Sequence, residues 1–590
     1  MSKDTLPLWD LSMYPGFKSD TYKNDIQELE EMLKKMISDL DDSSLWEKDF
    51  TTAMEALLPH LNKAHDLYET LESYTYCSYS TNTANPEALN ALNGLEEGAL
   101  PFQGVLVRLK NRLAESGTGA DYWKKSPVLS NYIYYLTESL EEQKFQLSPE
   151  MEDLAYDLAR SGSSAWSRLQ SQISSSLKTR WIDGSEKTVT ELRGLGSDPD
   201  RKIRKQAWEK ELECWKSVET PMAAALNGVK GFTHTLNSRR GFDSTLTKSV
   251  RQAGMSMKTL EAMIGSMKKY LPDFRRYMKA KAGYMGLEKL SWYDVVAPLS
   301  SESDKWSWQR AENFIVEHFG SLSPEYADFG KLCFDEKWID AAPRNGKVGG
   351  AYCIGFPQNK VSRVLTNFTG SFNDVSTIAH ELGHAWHYEV LKESPALHRH
   401  YPMTLAETAS IFSETLVFQA CYRQAEDKDR LSLLESTLSD SNQVITDILS
   451  RFLFEQELME RRAEGELPAD ELSNMMLRAQ DATYGDALNP EERHPWMWAV
   501  KGHYYGMDLA FYNFPYAFGL LFSLGLYSLY DEMGSDFEPL YRKVLQLTGK
   551  ASAEDCAAAA GLDITGEDFW NRSLDVIRKQ INDFTGLVSE

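Results

Sequence analysis

Two histidines four residues apart lie within the run Asn373-Asp374-Val375-Ser376-Thr377-Ile378-Ala379-His380-Glu381-Leu382-Gly383-His384-Ala385-Trp386-His387, and they constrain what this stretch can become. On an α-helix, positions i and i+4 share one face a turn apart, so His380 and His384 can reach one ion together. Glu381, between them, is placed to contact a water that such an ion polarises. This is the constellation of zinc-assisted hydrolysis. The flanking residues supply helix signals: Asn373 or Asp374 as a cap, an apolar stripe of Val375, Ile378, Ala379, Leu382 and Ala385, and Pro395 as a stop beyond Leu391-Lys392-Glu393. The competing reading, an ordinary core helix carrying two satisfied histidines, has to be weighed against the rest of the chain.

A catalytic zinc usually takes three protein ligands. The extended metzincin pattern would need glycine at 387 and histidine at 390, but His387 and Val390 stand there, which excludes that class. His387 shares the face of His380 and His384 and reads more readily as a core or supporting residue than as a ligand. After the Pro395 break, Thr404 to Glu414 reads as a second helix, with Glu407 and Glu414 seven apart on one face. Glu407, nearer the helix start, is the first choice for the third donor. Glu414 is the fallback, or a carboxylate that orients a histidine from behind.

The 590 residues hold 63 Lys and Arg against 87 Asp and Glu, a formal charge of −24 that disfavours nucleic acid as a partner. Aromatic residues at 12% exclude wholesale disorder. The six cysteines, Cys77, Cys214, Cys333, Cys353, Cys421 and Cys556, lack CxxC spacing and read as free thiols of a reducing compartment. Met1 to Asp10 lacks a basic region followed by an apolar run, so the expected location is the cytoplasm. The apolar run Phe514 to Tyr530 is interrupted by Pro515, Gly519 and Gly525 and reads as a buried helix, not a membrane span.

Helical spacing dominates elsewhere. Ile26, Leu29, Met32, Leu33 and Met36, then Leu57, Leu61, Leu67 and Leu71, predict long paired helices up to about Leu113, with more helix over 121 to 174. Leu177 to Leu192 predicts a short hairpin, and Ser197-Asp198-Pro199-Asp200 a helix start, so the principal boundary falls near 195. Residues 342–356 and 362–369, rich in glycine and in β-branched or aromatic residues, predict short strands beside the metal helix. Such a strand could pair with an extended peptide, or simply pack as a small sheet.

With these residues in view, the chain resembles the thimet oligopeptidase-like (M3) zinc metallopeptidases, and more closely their oligoendopeptidase F branch. The resemblance is carried by His380-Glu381-Leu382-Gly383-His384-Ala385-Trp386-His387, by Glu407-Thr408-Ala409-Ser410, and by Phe511-Tyr512-Asn513-Phe514-Pro515-Tyr516-Ala517-Phe518-Gly519. It covers roughly 195 to 585. It implies a mainly α, elongated, multi-helix zincin-type body split by a deep substrate channel, with a small β-sheet beside the HExxH helix. Residues 1–194 would form part of the channel wall or lid, and 195–590 the catalytic domain. It also implies one zinc ion per chain held by His380, His384 and Glu407, with Glu381 as the base and His503, Tyr512 and Tyr516 assisting the tetrahedral intermediate. The spacing of four between Tyr512 and Tyr516 places both on one helix face if that stretch is helical. The His503–Tyr512 interval is longer than in many relatives, and Gly519 stands where some carry a tyrosine.

The expected activity is endopeptidase cleavage of short, unstructured oligopeptides. A zinc carboxypeptidase or aminopeptidase of similar body is the alternative, because HExxH fixes the metal and not the position of the cut. A non-catalytic peptide-binding protein would be expected to have lost the base or a ligand, and this chain keeps both.

Overall fold

In the computed structural model, residues 6–299 and 305–589 are described, those at 149, 153 and 428 by their backbone alone. Helices make up most of the chain, with two small sheets among the described residues. The chain divides into two compact units, each built from three separate stretches: 1–146, 304–420 and 529–561 in the first, and 147–303, 421–528 and 562–590 in the second.

The first unit begins with the long helices the apolar spacing predicts. Asp20–Asp41 is capped by the Ser19 side chain, which accepts from the Tyr22 N–H, and buries Leu29, Leu33, Met36 and Leu40. Phe50–Thr81, capped by Asp49, buries Leu57, Leu58, Leu61, Leu67 and Leu71 around an internal Pro59. Burying each such leucine stabilises the fold by about 2 kcal/mol. Tyr14, Tyr22 and Tyr74 close one end of this core, with ring centroids 5.0 to 5.8 Å apart.

Strands are labelled in chain order: β1 (Lys178–Arg180), β2 (Glu186–Thr188), β3 (Ile339–Asp340), β4 (Tyr352–Phe356) and β5 (Val361–Leu365). In the first unit β5 is central, parallel to β3 and antiparallel to β4. β3 is a strand the sequence reading did not separate from its surroundings; it is only two residues long, too short to show an alternating pattern. The β4 backbone is tied to the long helix by the Ser73 hydroxyl, which donates to the Gly355 carbonyl at 2.6 Å. At Gly355 an added Cβ would come within 2.9 Å of the Tyr388 ring, so the missing side chain is what lets the sheet lie on the helix that follows.

In the second unit β1 and β2 form the expected hairpin. Helix resumes at Val189–Gly194, within the stretch the sequence assigned to the hairpin, because Thr188 and Glu191 form a capping box there, and again at Arg201, capped by Asp200. Trp215, Leu226, Phe454, Leu458, Met475, Trp498 and Tyr504 belong to its apolar core. Tyr277 of the helix Met257–Tyr284 packs on Phe584 of Glu567–Leu587 at 5.1 Å. Phe514–Met533 is a largely buried helix, and among the described residues no helix is long and apolar enough to cross a membrane. All six cysteines are free thiols.

Candidate metal centre

The helix Phe372–Leu391 carries the HELGH run, and its start differs from the sequence expectation. The cap is Ser371, not Asn373 or Asp374: the Ser371 hydroxyl accepts from the Asp374 N–H at 3.1 Å. Asp374 reaches back, its Oδ2 accepting from the backbone N–H groups of Thr369, Gly370 and Ser371 at 2.7, 2.8 and 3.0 Å. This is a capping box enlarged by two more donors. Gly370 holds φ +94° in this turn, and a Cβ there would meet the Trp306 carbonyl at 2.9 Å.

The helix delivers His380 and His384 to one face, ring centroids 4.9 Å apart. Glu407 Oε2 lies 3.3 Å from His380 Nε2 and 3.5 Å from His384 Nε2. One ligand atom from each of the three lies within 4.8 Å of the others. Glu407 does not sit inside one continuous helix with Glu414, as the sequence suggested. Met403–Ala406 ends at it, and Thr408–Gln424 begins after it. At this break the Glu407 carbonyl still accepts from the Ile411 N–H, so the residue opens the second helix while its carboxylate reaches the histidines.

Behind this group, Glu414 Oε2 is 3.1 Å from His380 Nδ1, which leaves Nε2 to face Glu407. The Ser376 hydroxyl donates to Glu414 Oε1 at 3.1 Å, and that of Ser410 to Glu407 Oε2 at 2.7 Å. Neither serine was given a role from sequence, although Ser410 ends the Glu407-Thr408-Ala409-Ser410 segment that carries the resemblance. Gly383 allows the close packing of the two helices: a Cβ would meet the Ala409 carbonyl at 2.5 Å and Ser410 Cα at 2.7 Å.

The electrostatics favour a cation. Burial would push His380 down, but the carboxylates of Glu407 and Glu414 outweigh it and raise its pKa to about 10. Burial drives His384 down to about 4. Glu407, despite burial, is held at about 2 by the two histidines and Ser410. Burial and the neighbouring charges of Glu407 and Glu414 raise Glu381 to about 7 against the opposing effect of His380. Glu381 is only 6% exposed, and its Oε2 has no hydrogen-bond partner. Two imidazoles and a carboxylate converging on one point, with an unpartnered carboxylate oxygen beside them, fit a zinc ion and a water.

His387 stands apart from this group. It is fully buried, 2.9 Å from the Thr548 hydroxyl and stacked on Tyr401 at 4.3 Å.

His503, Tyr512 and Tyr516 lie in the second unit and cluster with one another. Centroids are 5.7 Å apart for His503–Tyr512, 6.4 Å for His503–Tyr516 and 5.8 Å for Tyr512–Tyr516. Tyr512 precedes the helix Phe514–Met533, so the two tyrosines are not partners on one helical face. A turn brings them together instead, with Phe511 at φ +56°, an uncommon conformation for a bulky residue. Phe511 is buried against Phe452, 5.6 Å between centroids, which holds that conformation in place. Burial, with the charges of Arg451 and Lys501, lowers the His503 pKa and favours its neutral form.

A helical body carrying an HExxH helix and a glutamate from the next segment is the class of architecture in which metallopeptidase sites are built. The chain belongs to peptidase family M3, whose sequence profile matches residues 195–576, and to its oligoendopeptidase F branch, with the Oligopeptidase F profile matching 118–178. It is 27% identical over 402 residues to oligoendopeptidase F, chromosomal, of Lactococcus lactis subsp. cremoris, an alignment covering 67% of this chain and 66% of that protein. It is 24% identical over 558 residues to oligopeptidase PepF of Bacillus subtilis (strain 168), covering 89% and 82%. The crystal structure of oligoendopeptidase-F from Enterococcus faecium superposes with TM-score 0.70 at 17% identity over 96% of this chain and 99% of that one.

Proposed function

We propose that this chain is a zinc-dependent endopeptidase that hydrolyses internal bonds of short, unstructured oligopeptides. The observation that carries the reading is the convergence of His380, His384 and Glu407 within 4.8 Å, beside the buried, unpartnered carboxylate of Glu381. The oligoendopeptidase F relatives support the oligopeptide substrate class.

In this reading His380, His384 and Glu407 hold the ion, and Glu414 and Ser410 keep the first histidine and the glutamate in place. Bound zinc supplies Lewis-acid charge that acidifies water and polarises a peptide carbonyl. Glu381 takes a proton from the attacking water and passes it to the departing amine. His503, Tyr512 and Tyr516 donate hydrogen bonds to the oxyanion of the tetrahedral intermediate. That assignment is supported by the family resemblance and by their mutual packing. Residues 195–590 form the catalytic part, and 1–194 a wall or lid that limits access by size. The six free thiols support a cytoplasmic location.

The test is cleavage mapping by mass spectrometry on a pool of peptides with blocked termini, with and without chelator, for the native chain and Glu381→Gln. Internal cuts that stop with chelator and fall by several orders of magnitude in Glu381→Gln, at unchanged zinc content, are expected. Failure to cut any blocked peptide, with trimming of free ones, would convert the reading to an exopeptidase. Near-native turnover by Glu381→Gln would remove that residue as the base.

A further inference from the structure

We propose that His65, Glu69 and His400 form a second binding site for a divalent transition-metal ion of the zinc, nickel or copper class, separate from the group at His380. His65 and Glu69 stand four apart on the helix Phe50–Thr81, the same relation that pairs His380 with His384. His400 follows the short turn Ala396–His398, in the connection between the HELGH helix and Glu407. One ligand atom from each of the three lies within 4.8 Å of the others. The rings of His65 and His400 have centroids 4.9 Å apart, the same separation as His380 and His384.

The polar atoms here are not satisfied by one another. His400 Nε2 approaches Glu69 Oε1 to 3.0 Å, yet that oxygen has no aligned hydrogen-bond donor, and buried His65 Nε2 has no partner. A buried acceptor left so costs about 1–3 kcal/mol, a penalty that an ion or ordered water beside Glu69 Oε1 and His65 Nε2 would remove.

The Arg399 guanidinium is engaged by Asp66 and lies 3.6 Å from Glu69 Oε2, while His400 Nε2 approaches Oε1. Phe102 packs 4.8 Å from the His65 ring and closes one side, while His400 is half exposed and provides a path for entry. Two nitrogens and one oxygen favour borderline metals over calcium or magnesium. An ion here would clamp the long helix to the connection that presents Glu407.

The test is zinc titration of the full chain, stripped by chelator, by calorimetry, with anomalous diffraction at the zinc edge on crystals of the same protein. Two equivalents are expected, with one anomalous peak between His65, Glu69 and His400. His400→Ala, a change at a half-exposed side chain, should weaken one equivalent by about tenfold or more and leave the other unchanged. His65→Gln should do the same. His384→Ala should remove the other equivalent and spare this one, so the two sites succeed or fail independently. A single equivalent in the native chain that His384→Ala removes would overturn the proposal, as would a titration of His400→Ala that matches the native one.

Discussion

At the scale of single residues, the centre depends on side chains that no motif advertises. Gly383 is the clearest case, because its missing Cβ is occupied by the backbone of Ala409 and Ser410. Gly383→Ala forces two helices apart at the point where Glu407 is presented. A destabilisation of about 1–3 kcal/mol is expected from overpacking, together with weaker zinc binding, read by chemical denaturation and metal titration. A native-like affinity would mean that Glu407 is positioned independently of that contact. Glu414 acts one step further back, by holding the His380 ring through Nδ1. Glu414→Gln keeps the shape but removes the charge, so zinc affinity should fall about 10- to 100-fold with little change in fold. Equilibrium dialysis of the two proteins against zinc distinguishes this from a purely structural role, which would move the denaturation midpoint and spare the affinity.

At the scale of elements, the helix Phe372–Leu391 was legible because its evidence is local: histidine spacing, an apolar stripe and a proline stop. Its start was misplaced by two or three residues, since Asn373 and Asp374 both read as caps and only the fold shows Ser371 in that role, with Asp374 serving three N–H groups from inside the first turn. That network makes Asp374→Ala more costly than Ser371→Ala. About 2 kcal/mol or more is expected for the first and about 1 kcal/mol for the second, measured from denaturation midpoints. Equal losses would show that Asp374 acts only as an ordinary third residue of the box. The break at Glu407 was not legible, because Thr404 to Glu414 has continuous helical character and the interruption depends on a packing partner, the HELGH helix, outside the segment. The turn that sets Tyr512 beside His503 was hidden for the same reason. Phe511 carries no signal for a positive φ, and its burial against Phe452 is what imposes it.

At the scale of the whole molecule, the helical character follows from periodicity and β4 and β5 from residue type, but the division into units follows from neither. Each unit draws on three distant stretches of chain, so its boundaries depend on long-range packing that no local pattern records. The second unit carries a buried charge cluster that makes its stability depend on pH. Glu211, 5% exposed, accepts from Arg193 at 2.7 Å and lies 3.2 Å from His494 Nε2. Burial alone would raise its carboxyl, but the charges of His494 and Arg193 outweigh that and hold it at about 2, from an ordinary 4.5. A carboxyl depressed in the folded state binds protons more readily when unfolded. Its contribution is therefore complete above pH 4.5 and drains away as pH falls toward 2, by about 3 kcal/mol in all. Denaturation midpoints of the native chain should fall steeply across that window. In Glu211→Gln the starting stability at pH 7 should be lower, since Arg193 loses its buried counter-charge, and the decline below pH 4.5 should be shallower. Parallel curves for the two proteins between pH 5 and 3 would show that other carboxylates, and not Glu211, set the acid limit of the second unit.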